Sequence, residues 1–437
     1  MVEAEEVDVE VAFISILITI VKININTIKG RGFQGRGFQD GNQGGGRGGN
    51  QGERPKVSIC SFDLTGECKH GDSCRSQHGV IRVAFQYPLP NNAPVKSLEL
   101  LNSSHGPLLL SGSSDKSVKA FLIPNNLSLL SNITNAGERT PVGSVQSIQV
   151  KDGTIMWAVE EPISYDEVAD MPPLLKYSPE ISVGIVYLVD SNNMNSKLPL
   201  HISPDRPYTH IKQVRAFVIE KIQDQIFVMT GGGEGIIRTW KFDQATSRFQ
   251  VMSTLEGHLR DITALWFDGN HHLWSGSTDR SIRVWDVNTN SCIATFSLSA
   301  TENVKGHSDV VTCFEFIPHE SDRLLASGGG DGNVIIWNAD SGDYLHTCSH
   351  GNVLISSMKV FLDASSNNIL IVAVTNGKLF LRDCRDMSLI CTLESRCQQS
   401  FVWGIVDLAH ANLNNNFVTS GDDGKIIVWT VQQPLLS

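Results

Sequence analysis

At 437 residues, with 41% hydrophobic and 19% charged residues, the chain has the balance of an ordinary soluble globular protein, which excludes a membrane-embedded one. Its net charge of −11 is uneven: residues 1–21 hold five acids and no base, residues 22–82 hold ten Lys or Arg against five acids, and the rest carries −11. A polyanion partner is therefore expected to meet the basic segment near the front, and nine cysteines without regular disulfide spacing favour a reducing intracellular setting, nucleus before cytoplasm.

Residues 1–28 open with acids and continue into an apolar run, Val11 to Val21. Eleven residues fall short of the roughly 20 that a membrane span needs, and the leader is acidic where an export signal would be basic. This segment is left unassigned. Residues 29–56 are Gly-rich and Arg-punctuated, with too little apolar surface to offset the entropy of ordering, so a disordered linker is expected. Within it Arg31, Arg36 and Arg47 sit between glycines, with Phe33 and Phe38 interleaved. The pattern resembles the arginine-glycine boxes of RNA-binding proteins, in which guanidinium and phenyl planes stack on unpaired bases while arginines pair with phosphate. A flexible tether is the other reading of the same residues.

Residues 57–79 carry Cys60, Cys68, Cys74 and His78, separated by seven, five and three residues. Three thiolates and an imidazole match the tetrahedral demand of Zn2+, and four protein ligands leave no open position, so one structural zinc is expected. The stretch is poor in aliphatics, which predicts that metal binding folds it. The spacing resembles the CCCH zinc finger. That resemblance implies binding of single-stranded RNA through aromatic side chains and main-chain groups; Phe62, Lys56, Lys69 and Arg75 are the candidate contacts. Arg75-Ser76 stands where such fingers often carry Phe or Tyr, so one stacking platform is missing and weak binding by the finger alone is expected.

From residue 80 onward the pattern is all-β. Residues 80–87 alternate like a strand, and an acid or amide six residues before a bulky side chain then recurs. The pairs are Asp115–Phe121, Glu234–Trp240, Asp279–Trp285, Asp331–Trp337, Asn376–Arg382 and Asp423–Trp429; from Glu234 onward the steps are 45, 52, 45 and 47 residues. The gap of 119 residues between Asp115 and Glu234 leaves room for one further unit, on 145–150, 154–159 and 183–189, with the Pro-rich stretch at 161–180 as a long loop. Residues 257–286 run from Gly257-His258 to Trp285-Asp286 and resemble a WD40 repeat. The resemblance implies a seven-bladed β-propeller over 80–437, with residues 80–87 closing the last blade as its outermost strand.

In the fourth and fifth blades His258, Ser275, Asp279, Trp285 and His307, Ser327, Asp331, Trp337 fall where the WD40 family buries a hydrogen-bonded lock. Ser, His and Asp together also suggest hydrolysis, but a set repeated between blades reads as scaffold, and no enzyme activity or small-molecule substrate is expected. Elsewhere the lock is expected to be partial, with Phe121 and Arg382 in place of Trp and Glu234 and Asn376 in place of Asp. One finger followed by one propeller resembles the zinc-finger WD40-repeat proteins of plants. That implies an adaptor, the finger and Arg-Gly segment on RNA and the propeller on protein partners. The alternative is a substrate receptor or scaffold of a ubiquitin ligase or other complex, with the finger as a protein-interaction module; the nearest matches to the Trp-Asp-x-Arg element of such receptors are Arg382-Asp383-Cys384-Arg385, which lacks the tryptophan, and Trp285-Asp286-Val287-Asn288, which lacks the arginine.

Overall fold

The computed structural model describes residues 57–436, apart from 71–73, 75, 90–91, 104–105, 124–127, 133–143, 163–181, 191–192, 201–207, 223–224, 244–245, 247, 299–304, 320–321, 364, 395–399, 412 and 414. Strands of alternating and continuous apolar residues pair into seven antiparallel four-stranded blades. Taking inner strands in chain order, the blades begin at Val95–Ser103, Val145–Lys151, Val214–Ile222, Ile262–Phe267, Val311–Ile317, Ile355–Leu362 and Val402–Asp407. Each inner strand lies against the inner strands of its two neighbours, and the seventh returns to the first, so the ring is closed. The second blade holds strands at Thr154–Pro162, Ser182–Asp190 and Asn193–Pro199; most of the Pro-rich stretch between the first two lies outside the described residues.

The same local geometry starts every blade. Between the first and third residues of each inner strand the register shifts by a bulge, from Val95/Ser97 round to Val402/Gly404. A bulge adds a residue and sharpens the twist. The residue that opens it is always a fully buried valine or isoleucine. It packs against the preceding blade, whose second strand has a small residue opposite. A Cβ at Gly276 would lie 2.5 Å from Val311 Cγ1, and one at Gly328 would lie 2.7 Å from Ile355 Cγ2. The described apolar core is accordingly divided into seven clusters, one in each seam between adjacent blades.

Ile81–Pro88 is the outermost strand of the seventh blade, antiparallel to Lys425–Val431, with Ile81 opposite Val431 and Pro88 opposite Lys425. The blade thus combines strands from both ends of the propeller sequence. Backbone N–H of Gln432 donates to Val80 O at 2.8 Å, fastening the chain after the last strand to the residue before the first. Among the described residues no helix is long and apolar enough to cross a membrane.

Candidate metal centre

The finger is assembled by main-chain hydrogen bonds that bring residues 60 and 77 together. Cys60 N–H donates to Gln77 O at 3.0 Å, beside a parallel bridge between Ile59 and Gln77, and this sets Cys60 next to His78. The chain then turns through a 3-10 helix, Asp63–Thr65, whose N–H groups at Asp63 and Leu64 point back to Cys60 O. Gly66, at φ 75°, takes the left-handed conformation that ends the turn and starts the return toward Cys68.

Cys60, Cys68, Cys74 and His78 converge, one ligand atom from each lying within 4.8 Å of the others. Tetrahedral zinc with bonds of about 2.3 Å separates its sulfur ligands by about 3.8 Å, so the group has the right compass. The histidine is set for a metal as well. Its Nε2 is buried without a hydrogen-bond partner, while Nδ1 lies 3.8 Å from Asp63 Oδ1. A carboxylate behind a ligating imidazole helps fix the ring's orientation. Burial would raise the Cys60 thiol, but the N–H groups of Asp63 and Phe62 and the neighbouring thiols outweigh it and bring the group down to about 7. These four residues fit one structural zinc, and a bound ion would tie the two halves of the finger across the 3-10 turn.

Asp63 went unnoticed in the sequence, and it does more than face the histidine. Its Oδ2 accepts from Gly79 N–H at 2.6 Å and its Oδ1 from Arg82 Nη2 at 3.4 Å. Arg82 belongs to the ring-closing strand, so this buried carboxylate joins the metal site to the propeller. Apolar residues of the finger do the same. Ile59 and Leu64 are buried in one cluster with Phe361, Ile371 and Leu381 of the sixth blade and Phe417, Ile427 and Trp429 of the seventh. Val57–Ser58 pairs in parallel with Cys391–Thr392, adding a fifth strand to the rim of the sixth blade, whose outer strand is Leu389–Leu393. The expectation of a module folded by metal alone is thereby amended: its few aliphatics are buried, against a core that the propeller supplies.

The opposite side of the finger faces solvent. Phe62 is 40% exposed and Lys69 is exposed. The remaining candidate nucleic-acid contacts, Arg31, Phe33, Arg36, Phe38, Arg47, Lys56 and Arg75, lie outside the described residues. So do the segments 1–28 and 29–56.

Within the propeller the candidate locks are formed. His258 Nδ1 lies 2.9 Å from Asp279 Oδ2, its Nε2 lies 2.7 Å from Ser275 Oγ, and Trp285 Nε1 donates to the same hydroxyl at 2.8 Å. In the fifth blade His307 meets Asp331 at 3.0 Å and Ser327 at 2.8 Å, and Trp337 donates to Ser327 at 2.9 Å. Burial would raise the Asp331 carboxyl, yet the His307 contact and N–H donors bring it down to about 2.

The third blade corrects the expectation of a partial lock there. His210 Nδ1 lies 2.7 Å from Glu234 Oε1, His210 Nε2 and Trp240 Nε1 reach Thr230 Oγ1 at 2.7 and 2.8 Å, and Arg238 adds a 2.6 Å ion pair to Glu234. Gly232 provides the room, because a Cβ there would overlap both His210 and Glu234. In the seventh blade Trp429 still donates to Thr419 at 2.9 Å. The sixth substitutes a different device, Arg382 donating to His350 Nε2 at 2.9 Å and to Met387 O at 2.6 Å. In the first, Asp115 pairs with Lys119 at 2.5 Å.

One mouth of the central channel is a cavity of about 550 Å³ lined from all seven blades, among them by Lys96, Arg215 and Trp403. The lone thiols are packing groups in large part: burial pushes Cys313, Cys384 and Cys391 up to about 12.

Comparison with known proteins bears on both modules. The WD domain, G-beta repeat, matches residues 85–121, 249–286 and 291–338, and the zinc finger of C-x8-C-x5-C-x3-H type (and similar) matches residues 55–80. The chain is 26% identical over 247 residues to zinc finger CCCH domain-containing protein 59 of Arabidopsis thaliana, covering 54% of this chain and 42% of that protein. It is 26% identical over 347 residues to zinc finger CCCH domain-containing protein 17 of Oryza sativa subsp. japonica, covering 77% and 66%. A shorter match, 29% over 148 residues, covers 30% of the chain and 21% of mitochondrial division protein 1 of Eremothecium gossypii. The chain therefore spans between about a fifth and two thirds of these relatives. Among solved structures, the computationally designed Ika8 protein superposes with a TM-score of 0.51 at 20% identity, over 78% of this chain and 97% of that one, a likeness of fold.

Proposed function

We propose, from the premise that this chain is a CCCH zinc-finger WD40-repeat protein, that it is a non-enzymatic adaptor. The finger and the Arg-Gly segment hold single-stranded RNA while the propeller holds protein partners. The observation that carries the RNA half is the two-sided finger: Ile59 and Leu64 are spent on the propeller seam, whereas Phe62 and Lys69 face outward. An exposed ring and an exposed cation on one small module suit a splayed base and its phosphate, and stacking of this kind contributes about 1–3 kcal/mol per base. The Arg-Gly segment, tethered directly ahead, would raise the local concentration of the same strand. The channel mouth, wide and lined by polar, cationic and aromatic side chains, supports docking of protein partners.

A catalytic reading of the His-Ser-Asp sets finds no support in their geometry. Ser275 and Ser327 are fully buried, and each hydroxyl already accepts from a tryptophan N–H. A nucleophile needs access to substrate, which these lack.

The test is RNA crosslinking of the intact chain beside Phe62→Ala and Lys69→Ala, both of which keep all four metal ligands. Phe62→Ala should lose about 5- to 150-fold in affinity at unchanged zinc content. Equal crosslinking by all three proteins would overturn the RNA half. A second reading, ligase substrate receptor, draws on Arg385, 61% exposed and held outward by Asp383 at 2.7 Å. Copurification of ligase subunits that is abolished by Arg385→Ala would favour it.

A further inference from the structure

We infer that the metal-loaded finger is the clasp of the propeller ring, so that metal occupancy and closure of the seam between the sixth and seventh blades are thermodynamically linked. This stands independently of the RNA reading, since it concerns only what the finger holds on its inner side.

Three separate connections run from the ligand set to that seam. The first is backbone pairing: Val57–Ser58, immediately before Cys60, is the fifth strand of the sixth blade. The second is apolar: Leu64, in the 3-10 turn between the first two ligands, is 1% exposed in the cluster that both blades share. The third is polar: Asp63 stands within 3.8 Å of the ligand His78 and binds Gly79 N–H and Arg82, where the ring-closing strand begins. The tail reinforces the same place, with Leu436 buried in the cluster and Leu435 N–H donating to Asp363 Oδ2 at 3.3 Å.

The consequence follows from what the metal does to the loop that carries these groups. Among the described residues, Cys60 N–H to Gln77 O and Gly79 N–H to Asp63 Oδ2 are hydrogen bonds that join residues 59–64 to 76–79. Four metal bonds, from Cys60, Cys68, Cys74 and His78, would hold the remainder in place. Without the ion, Leu64 and Asp63 are presented by a loop that must be ordered at the seam's expense, and closure of the seventh blade weakens. Linkage is reciprocal: a ring that binds the finger less well must bind zinc less well by the same factor.

Hydrogen exchange on the full chain tests this in both directions. Removal of zinc by a chelator should speed exchange at least tenfold in Ile81–Pro88, Lys425–Val431 and Leu389–Leu393. The inner strands Ile262–Phe267 and Val311–Ile317, on the far side of the ring, should stay as slow as before. Leu64→Ala, which keeps all four ligands, should weaken zinc binding at least tenfold against a chromophoric chelator. Unchanged exchange at the seam on zinc removal would overturn the inference, and so would exchange that rises equally in the fourth and fifth blades. Should Leu64→Ala fold poorly, the wild-type chelation experiment decides alone; should it fold and bind zinc as wild type, the finger is an independent module and the clasp is refuted.

Discussion

Burial on the first blade's inner strand pushes the Glu99 carboxyl up to about 7, with Lys359 opposing the rise and Glu315 adding to it. Because the folded-state value lies above the ordinary one, the protonated acid is the form the fold prefers. The stability this group contributes is complete below about pH 4.5 and is lost as pH rises through 7. Glu99→Gln should therefore be more stable than wild type at pH 8, by about 1–3 kcal/mol, with the difference shrinking toward pH 4.5. Denaturant melts at the two pH values check it, and a gap that does not change with pH would refute it. At this scale the sequence was legible where side chains recur at fixed offsets. The four ligands and the locks of the fourth and fifth blades were readable that way, as was the turn acid itself. His210 was missed because neither Glu234 nor Thr230 matches the usual partners and Thr209 precedes it instead of glycine. The residue after the turn acid is left-handed at Lys116, Gly235, Arg280, Gly332, Gly377 and Gly424 alike, a regularity that two non-glycine side chains hid.

Blades are coupled through one repeated contact, the buried branched residue that opens an inner strand against a small residue on the blade before it, a glycine at Gly112, Gly231, Gly276 and Gly328. Gly276→Ala would drive a methyl to 2.5 Å from Val311 Cγ1 and 2.9 Å from its Cβ. Overpacking of this size costs about 1–3 kcal/mol. Thermal unfolding should register that loss; an unchanged midpoint would mean that the fifth blade shifts freely, contrary to its closed-ring packing. Strands were legible to within one to three residues where periodicity was strong, as in the second blade, expected at 145–150 and found at Val145–Lys151. The fourth strand of that blade, Asn193–Pro199, was not, since NMNSKLP has no alternation and earns its place by pairing with Ser182–Asp190. Docking of the finger was equally invisible: Val57 and Cys391 are over 330 residues apart, and two residues of parallel pairing leave no local signature.

Taken whole, the sequence places a net-basic segment, residues 22–82, ahead of a net-acidic remainder, and this has a measurable signature. Residues 29–56 contain six Lys or Arg. Each phosphate neutralised on a single strand contributes about −0.7 to the slope of log affinity against log salt, so deleting the segment should flatten that slope by up to about 4. Fluorescence anisotropy on single-stranded oligouridylate at several salt concentrations reads it directly, and an unaltered slope would remove the segment from the contact. The ring also has a history written into its pairing. Ile81, opposite Val431, emerges from the ribosome 350 residues before its partner. At about 5–20 residues per second the nascent strand waits some 20–70 s. Until Lys425–Val431 is synthesised, the edge of this strand lacks its partner and is open to neighbouring nascent chains on the polysome, so the arrival of that strand decides whether the wait ends in a toroid or in an aggregate.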